Sequence, residues 1–201
     1  MSESLDQAAP DTGNLFGVID IDNVFGLNLS VPEHAKHVIK PWDERESTEK
    51  YAESGVDDQL IIHVPFTQNV RIRSVMLKMA RGEVCPHRLR IYANYPTGID
   101  FDDAETTIPQ HDMSLLESET GVTEYPLRVA AFVNVNSLTL FFSESPSTTL
   151  SRLYYIGFRG EARTPQKDTS TTLQLGAANA ADASIIDRLA EKSAGRQSTI
   201  R

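Results

Sequence analysis

A thiol and an imidazole lie almost side by side in Cys85-Pro86-His87, where the chain offers a cysteine nucleophile with a nearby base. Nucleophilic catalysis would require the two side chains to meet. Pro86 separates them, however, and no local protease signature surrounds the cysteine. We therefore predict a turn with a small buried thiol. Because Cys85 is the single cysteine, an intrachain disulfide and a Cys-x-x-Cys redox pair are excluded.

Two histidines, His34 and His37, stand three residues apart, a spacing at which one helix face can present two nitrogen ligands to a metal ion. No third ligand is obvious nearby, and Lys36 lies between them. We interpret the two as exposed loop histidines. A further histidine, His63, lies inside an apolar segment and is interpreted as a packed, hydrogen-bonded core residue.

The acidic segment from Asp100 to Glu105 resembles a calcium-binding loop only superficially. An EF-hand counted from Asp100 requires an oxygen ligand at Ala104, glycine at Glu105 and glutamate at His111, and all three are wrong. A solvated acidic loop is the main interpretation. An irregular metal site, here or at the histidine pair, remains an alternative that would make the protein an enzyme.

Familiar catalytic and nucleotide-binding motifs are missing from the sequence. It has no nucleophile elbow, no phosphate-cradling loop and no dinucleotide fingerprint. We therefore predict no catalytic residues, no cofactor-binding residues and no metal site, and we expect that the protein is not an enzyme.

Two other segments combine charged with aromatic or apolar residues. The first, Ile39-Lys40-Pro41-Trp42-Asp43-Glu44-Arg45, holds the single tryptophan, and the second is Tyr154-Tyr155-Ile156-Gly157-Phe158-Arg159-Gly160-Glu161. Arginine suits bidentate contact with carboxylates, and a tryptophan can anchor a loop on a sheet. We predict a structural clasp between Glu44 or Arg45 and Arg159 or Glu161, beside Trp42. Direct contact of these five residues with a partner is the alternative.

The overall charge limits the kinds of partner. The chain has 201 residues and a formal net charge of −9, which disfavours nucleic-acid phosphates and anionic lipid. A partner with basic patches fits better, unless the acidity serves only solubility. The N-terminus lacks the features of a signal peptide, and no apolar run approaches the roughly 20 residues that span a bilayer. We expect no nucleic-acid or membrane partner, and a cytoplasmic and nuclear location.

Short apolar or alternating runs, separated by turn residues, must position these side chains. Strands are predicted in residues 59–64, 70–79, 89–93, 127–133, 138–142 and 153–158. Pro65 is expected to end the first of them, and residues 134–137 to join the fourth and fifth as a hairpin or as neighbours across a sandwich. The apolar phase flips between Val70 and Val75, which predicts a β-bulge near Ser74. Many short strands and few helices favour an all-β protein, an antiparallel β-sandwich or jelly roll.

The two ends of the chain differ in composition from its middle. Residues 1–13 are polar and are predicted to be a disordered leader, and residues 14–163 to form the domain. Residues 164–201 are predicted to be a partly flexible C-terminal extension. Within it, residues 180–193 suit a short helix, with a frayed tail as the alternative.

Several segments in order resemble the PITH domain family, found at the C-terminus of thioredoxin-like protein 1 and in free-standing proteins. They are Ile19-Asp20 with Leu27-Asn28, Lys40 to Arg45, Asp58 to Val70, Leu89 to Asn94, Phe101 to Glu105 and Tyr154 to Glu161. The resemblance covers about residues 14–163. The resemblance implies a jelly-roll β-sandwich of galactose-binding-like type. It also implies association with the regulatory particle of the 26S proteasome, in the cytoplasm and nucleus.

Our functional expectation is a non-enzymatic, monomeric adaptor that binds the proteasome through its sandwich. The alternative is a ligand-binding jelly roll of carbohydrate type, which the architecture alone suggests. Without Cys-x-x-Cys, the oxidoreductase activity of the two-domain relatives is not implied. Family members often continue with an Asn-Pro-x-Asp-His type sequence, where this chain has Asn179-Ala180-Ala181-Asp182-Ala183.

Overall fold

The computed structural model describes residues 13–116 and 121–163. The predicted leader, apart from Gly13, and the predicted C-terminal extension with its helix therefore lie outside the described residues. The described strands are β1 (Phe25–Leu27), β2 (Ala52–Glu53), β3 (Leu60–Met79), β4 (Arg88–Ala93), β5 (His111–Ser114), β6 (Thr123–Pro126), β7 (Val135–Ser143) and β8 (Arg152–Ala162). The α-helices are α1 (His34–His37) and α2 (Phe101–Thr106). Single 3₁₀ turns are Phe16–Val18, Ile21–Asn23, Trp42–Glu44, Gly82–Val84 and Val129–Ala131.

The long strand β3 belongs to both layers of the protein. Its first half pairs with β1 and β7, and β7 continues to β4 and β5. Its second half pairs with β8 on one edge and β6 on the other, and β8 continues to β2. Every pairing is antiparallel. The predicted all-β sandwich of antiparallel strands is therefore confirmed.

The core lies between the two layers and is filled by alternate residues of the strands. On the second half of β3, Val70 and Ile72 face inward, and so do Val75 and Leu77. The parity changes because the register with β8 shifts between Ile72 and Ser74. This shift confirms the predicted bulge near Ser74. It places Ser74 and the residues at alternate positions after it on the outer face of this layer.

Two strand predictions were wrong. Strand β3 does not end at Pro65 but continues to Met79, because the register with β7 is irregular between Pro65 and Val70 and tolerates a proline there. The predicted strand at residues 127–133 contains the 3₁₀ turn Val129–Ala131, and the strand before it ends at Pro126. Leu127 and Phe132 are buried although they are not in a strand, which explains the misleading apolar pattern. The predicted strand at 138–142 lies within β7 and is confirmed.

The residues that could take part in catalysis or metal binding lie in turns and short helices. Cys85 is fully buried at the end of a 3₁₀ turn, as predicted. The acidic segment forms α2 instead of a loop, since the Asp100 carboxylate caps it by accepting a hydrogen bond from the Asp103 N–H at 2.8 Å. His34 and His37 were predicted to be exposed in a loop, but they form the ends of α1 and are half-buried, with ring centroids 4.7 Å apart. Within residues 13–116 and 121–163, no three histidine, cysteine, aspartate or glutamate side chains gather as a metal site would require.

Candidate binding surface

One segment, residues 40–47, crosses the outer face of the β8–β3–β6 layer, and we call it the strap. Before it, the carbonyl of Val38 accepts a hydrogen bond from the Ile156 N–H at 2.8 Å, so the chain lies beside β8. Pro41 is extended, with φ −62° and ψ 161°, and the 3₁₀ turn Trp42–Glu44 follows. Proline at this position fixes the direction in which the strap leaves the edge of β8.

A buried lysine organises the strap from within. Lys40 is 4% exposed, and its ammonium donates hydrogen bonds to the carbonyls of Ser47 and Lys50, both at 2.8 Å. A buried ammonium needs such partners, because leaving it unpaired costs several kcal/mol. Burial lowers the pKa of Lys40, and the nearby Glu44 carboxylate acts in the opposite direction. The lysine therefore closes the strap into a loop.

The face beneath the strap explains why Gly157 is a glycine in the second segment. Tyr155 and Met76 are almost completely buried there, on the side of the layer that faces away from the core. Tyr155 lies along β8, and a Cβ added to Gly157 would come within 2.3 Å of its hydroxyl oxygen. Only glycine leaves room for the ring, so the spacing of Tyr155 and Gly157 is a packing requirement.

The single tryptophan brings the two segments together. The guanidinium carbon of Arg45 lies 4.0 Å from the centroid of the Trp42 ring, and that of Arg159 lies 5.3 Å from it. Arg45 also donates a hydrogen bond to the Trp42 carbonyl at 2.7 Å. Cation–π contacts at exposed sites contribute about 0.5–1 kcal/mol each. Trp42 remains half-buried, so part of the ring is open to solvent.

A polar network fixes Arg159 from the other side. Its Nη1 atom donates to Oε2 of Glu124 on β6 at 2.8 Å, and the Ser74 hydroxyl donates to the other oxygen of the same carboxylate. Ser74 lies on β3, between the strands that carry the other two residues. The network therefore links three neighbouring strands across the outer face.

A second ion pair fastens the far end of the strap. The Glu46 carboxylate lies 2.6 Å from the ammonium of Lys78, which also donates to the Glu46 carbonyl at 2.7 Å. The hydrogen bond from Lys78 is the main cause that lowers the pKa of Glu46. Lys78 is on β3, so this contact attaches the strap directly to the central strand of the layer.

The structure brings together three of the five residues predicted from the sequence, namely Trp42, Arg45 and Arg159. Glu44 is exposed, and its carboxylate forms no ion pair with any described residue. Glu161 forms its ion pair with Arg73 on β3.

Other residues of this surface were missed in the sequence. They are Glu46, Ser74, Lys78 and Glu124, along with the organising role of Lys40. Lys40 lies in the first segment and Glu46 directly follows it, so both could have been included among the candidate residues. Ser74 was noted only for the bulge, and nothing local indicates that Lys78 and Glu124 share a face with it.

Comparison with known families supports the identification of these segments. The family model of the PITH domain matches residues 6–178. The chain belongs to the PITH domain family. A PITH domain-containing protein of Drosophila melanogaster is 34% identical over 148 residues, 74% of this chain and 69% of that protein. PITH domain-containing protein 1 of Homo sapiens is 34% identical over 143 residues, 71% of this chain and 67% of that protein.

Solved structures identify the fold. The family 32 CBM from Clostridium perfringens NanJ in complex with galactose has a TM-score of 0.52 and 6% identity, and the match covers 73% of this chain and 98% of that one. The CBM32-1 and CBM32-2 domains of Clostridium perfringens ZmpB in complex with GalNAc give 0.56 and 14%, covering 75% of this PITH chain and 36% of the other. At such identities the likeness shows the fold alone. It confirms the predicted galactose-binding-like jelly roll.

Proposed function

We propose that this PITH protein is a non-enzymatic adaptor that binds the regulatory particle of the 26S proteasome through its sandwich. The resemblance to the C-terminal domain of thioredoxin-like protein 1 supports this partner. The main structural support for the proposal is the half-buried Trp42, which has the guanidinium groups of Arg45 and Arg159 over its ring. Tryptophan and arginine are the residue types that most often dominate protein–protein binding energy. The strap and β8 present them together on one outer face.

Binding to purified proteasome tests the proposal. The tagged full chain is immobilised and incubated with 26S proteasome in ATP, and in parallel with the isolated 20S core particle. We expect retention of the 26S particle and no retention of the core particle alone. Absence of regulatory-particle subunits from the bound fraction would refute the proposal. Retention of the core particle would instead show that the partner had been misassigned.

The proposed adaptor is a monomer of the cytoplasm and nucleus. Among the described residues, no helix is long and apolar enough to cross a membrane. Light scattering after size exclusion should give the mass of one chain, 22.3 kDa. Imaging of a fluorescent fusion should show it in both compartments, and confinement to mitochondria or to the secretory pathway would contradict this part of the proposal.

A carbohydrate ligand is the second candidate, and one surface feature favours it. A shallow hollow of about 380 Å³ lies beside β1 and α1, and its lining includes Phe25, Asp22 and Glu33. Phe25 is 37% exposed, and an exposed aromatic ring beside carboxylates resembles the chemistry that recognises sugars. A glycan array together with a thermal-shift screen tests this candidate. No hit in either would remove it.

A further inference from the structure

The outer face of the β3–β8 ladder changes character beyond the strap, at the bulge end. Arg71 lies opposite Glu161 in register, and the guanidinium of Arg73 pairs with the same carboxylate. Arg163 is exposed two residues beyond Glu161, and its N–H donates to the Asn69 carbonyl at 2.9 Å. We call Arg71, Arg73 and Arg163 the arginine patch. Glu161 is the acidic residue that lies among the three in strand register and in sequence.

The charge of the patch is only partly neutralised by its described neighbours. Arg71 has no ion-pair partner among the described residues, and its half-buried side chain places the Nε atom where it makes no hydrogen bond with them. The side chain of Arg73 is 57% exposed, so its pair with Glu161 is screened and leaves donors open to solvent. A chain with a net charge of −9 therefore carries a local excess of positive charge here.

We propose that the arginine patch binds an acidic segment of the partner protein. Arginine presents several N–H donors in a planar fork that matches carboxylates, and clustered arginines recognise acidic peptides. The patch adjoins Arg159 on β8, so a bound segment continues onto the tryptophan surface of the strap. The inference rests on the proposed function for the identity of the partner, but not for the chemistry that the patch recognises.

The positive charge of the patch changes the expectation about partners that followed from the net charge of the chain. The net charge of the chain favours partners with basic patches, whereas this face selects an acidic one. An extended nucleic-acid backbone is disfavoured because the acidic remainder of the protein repels it. A short acidic peptide contacts the patch without approaching that remainder.

A labelled peptide tests the chemistry of the patch. The probe is a short fluorescein-labelled poly-glutamate peptide, with a Gly-Ser peptide of the same length as control, and anisotropy measures binding to the full chain. We expect saturable binding that weakens as salt is added. The variant Arg73→Gln/Arg163→Gln changes two exposed side chains and should lose affinity about tenfold.

A matched variant separates the effect of the patch on peptide binding from the effect of net charge. Lys36→Gln/Arg88→Gln removes the same number of charges from α1 and β4, and its affinity should stay within about twofold of wild type. An equal loss of peptide affinity in both variants would overturn the proposal. So would a peptide affinity that Arg73→Gln/Arg163→Gln leaves unchanged. Thermal melts of both variants check that the fold is retained.

The same variants on 26S proteasome distinguish this inference from the proposed function. If wild type binds the particle, and poly-glutamate and Arg73→Gln/Arg163→Gln both weaken that binding, the two proposals stand together. If the particle binds, and neither poly-glutamate nor the double substitution weakens that binding, the role of the patch is refuted and the proposed function stands. If the particle does not bind but arginine-dependent peptide binding persists, the function falls and the patch stands. An oligonucleotide bound in place of the peptide would also overturn the inference.

Discussion

The guanidinium of Arg159 on β8 lies over the indole ring of Trp42 on the strap, 5.3 Å from its centroid. This contact joins two of the sequence segments that resemble the family, although the first lies before β2 and the second lies in β8. Arg159 is in turn held by Glu124 on β6. The strap therefore depends on a network built by strands β3, β6 and β8, and the proposed partner contact would use the same residues that hold the strap in place.

Replacing the tryptophan tests how far the strap is structural. We expect Trp42→Ala to lower the free energy of unfolding by about 2 kcal/mol, below the cost for a fully buried tryptophan because Trp42 is half-buried. Chemical denaturation followed by circular dichroism measures the change. Glu44→Ala is the control, since Glu44 is exposed, and it should stay within about 0.5 kcal/mol of wild type. An unchanged stability in Trp42→Ala would show that the ring does not anchor the strap.

Removing the buried ammonium should open the strap. Lys40→Met leaves the carbonyls of Ser47 and Lys50 without their hydrogen bonds, and we expect a loss of about 2–3 kcal/mol. Hydrogen exchange should show faster exchange in residues 40–50. Lys50→Met removes an exposed lysine from the same loop and should have little effect. Similar stabilities of the two variants would contradict the role assigned to Lys40.

The bulge at Ser74 shows what the sequence could predict and what it could not. Alternation of apolar residues reports which face of a strand is buried, so the change of parity near Ser74 was visible in the sequence. The partner of Arg159 was not visible, because β6 is four residues long and its pairing with β3 is non-local. The prediction that Pro65 ends a strand was wrong for a related reason. The strand can contain this proline because its pairing with the distant strand β7 is irregular there. Local pattern therefore predicted the faces of the strands, whereas contacts across the sheet required the structure.

Substitution of Gly157 should destabilise the protein. In Gly157→Ala the new methyl group meets the fully buried ring of Tyr155, so we expect a loss of about 1–3 kcal/mol in unfolding free energy. Gly17→Ala is the matched control, because nothing lies within 4 Å of its added Cβ, and it should be nearly neutral. In the Tyr155→Leu background, where the ring is absent, Gly157→Ala should cost less unfolding free energy than it does in wild type. Additive effects in this double-mutant cycle would show that the two residues do not conflict.

The buried His63 should make the stability of the fold depend on pH. It is 2% exposed, stacks on Phe25 at 4.8 Å and hydrogen-bonds the Thr139 hydroxyl at 3.1 Å, and burial lowers its pKa. The unfolded histidine binds a proton near its ordinary pKa of about 6.5, whereas the folded one binds it only at lower pH. Between the two values the unfolded state holds more protons, so the free energy of unfolding must fall as pH drops below about 6.5.

His37 and His111 have lowered pKa values as well, so the contribution of His63 must be isolated by difference. Denaturation of wild type and His63→Gln across this pH range measures it, because glutamine can keep the bond to Thr139 but does not titrate. We expect the variant to be less stable at neutral pH and the gap between the two proteins to narrow as the pH falls. For His37→Gln, the stability difference from wild type should change less with pH, because His37 is more exposed than His63. A gap that stays constant with pH would mean that His63 is protonated as readily in the folded protein as in the unfolded chain.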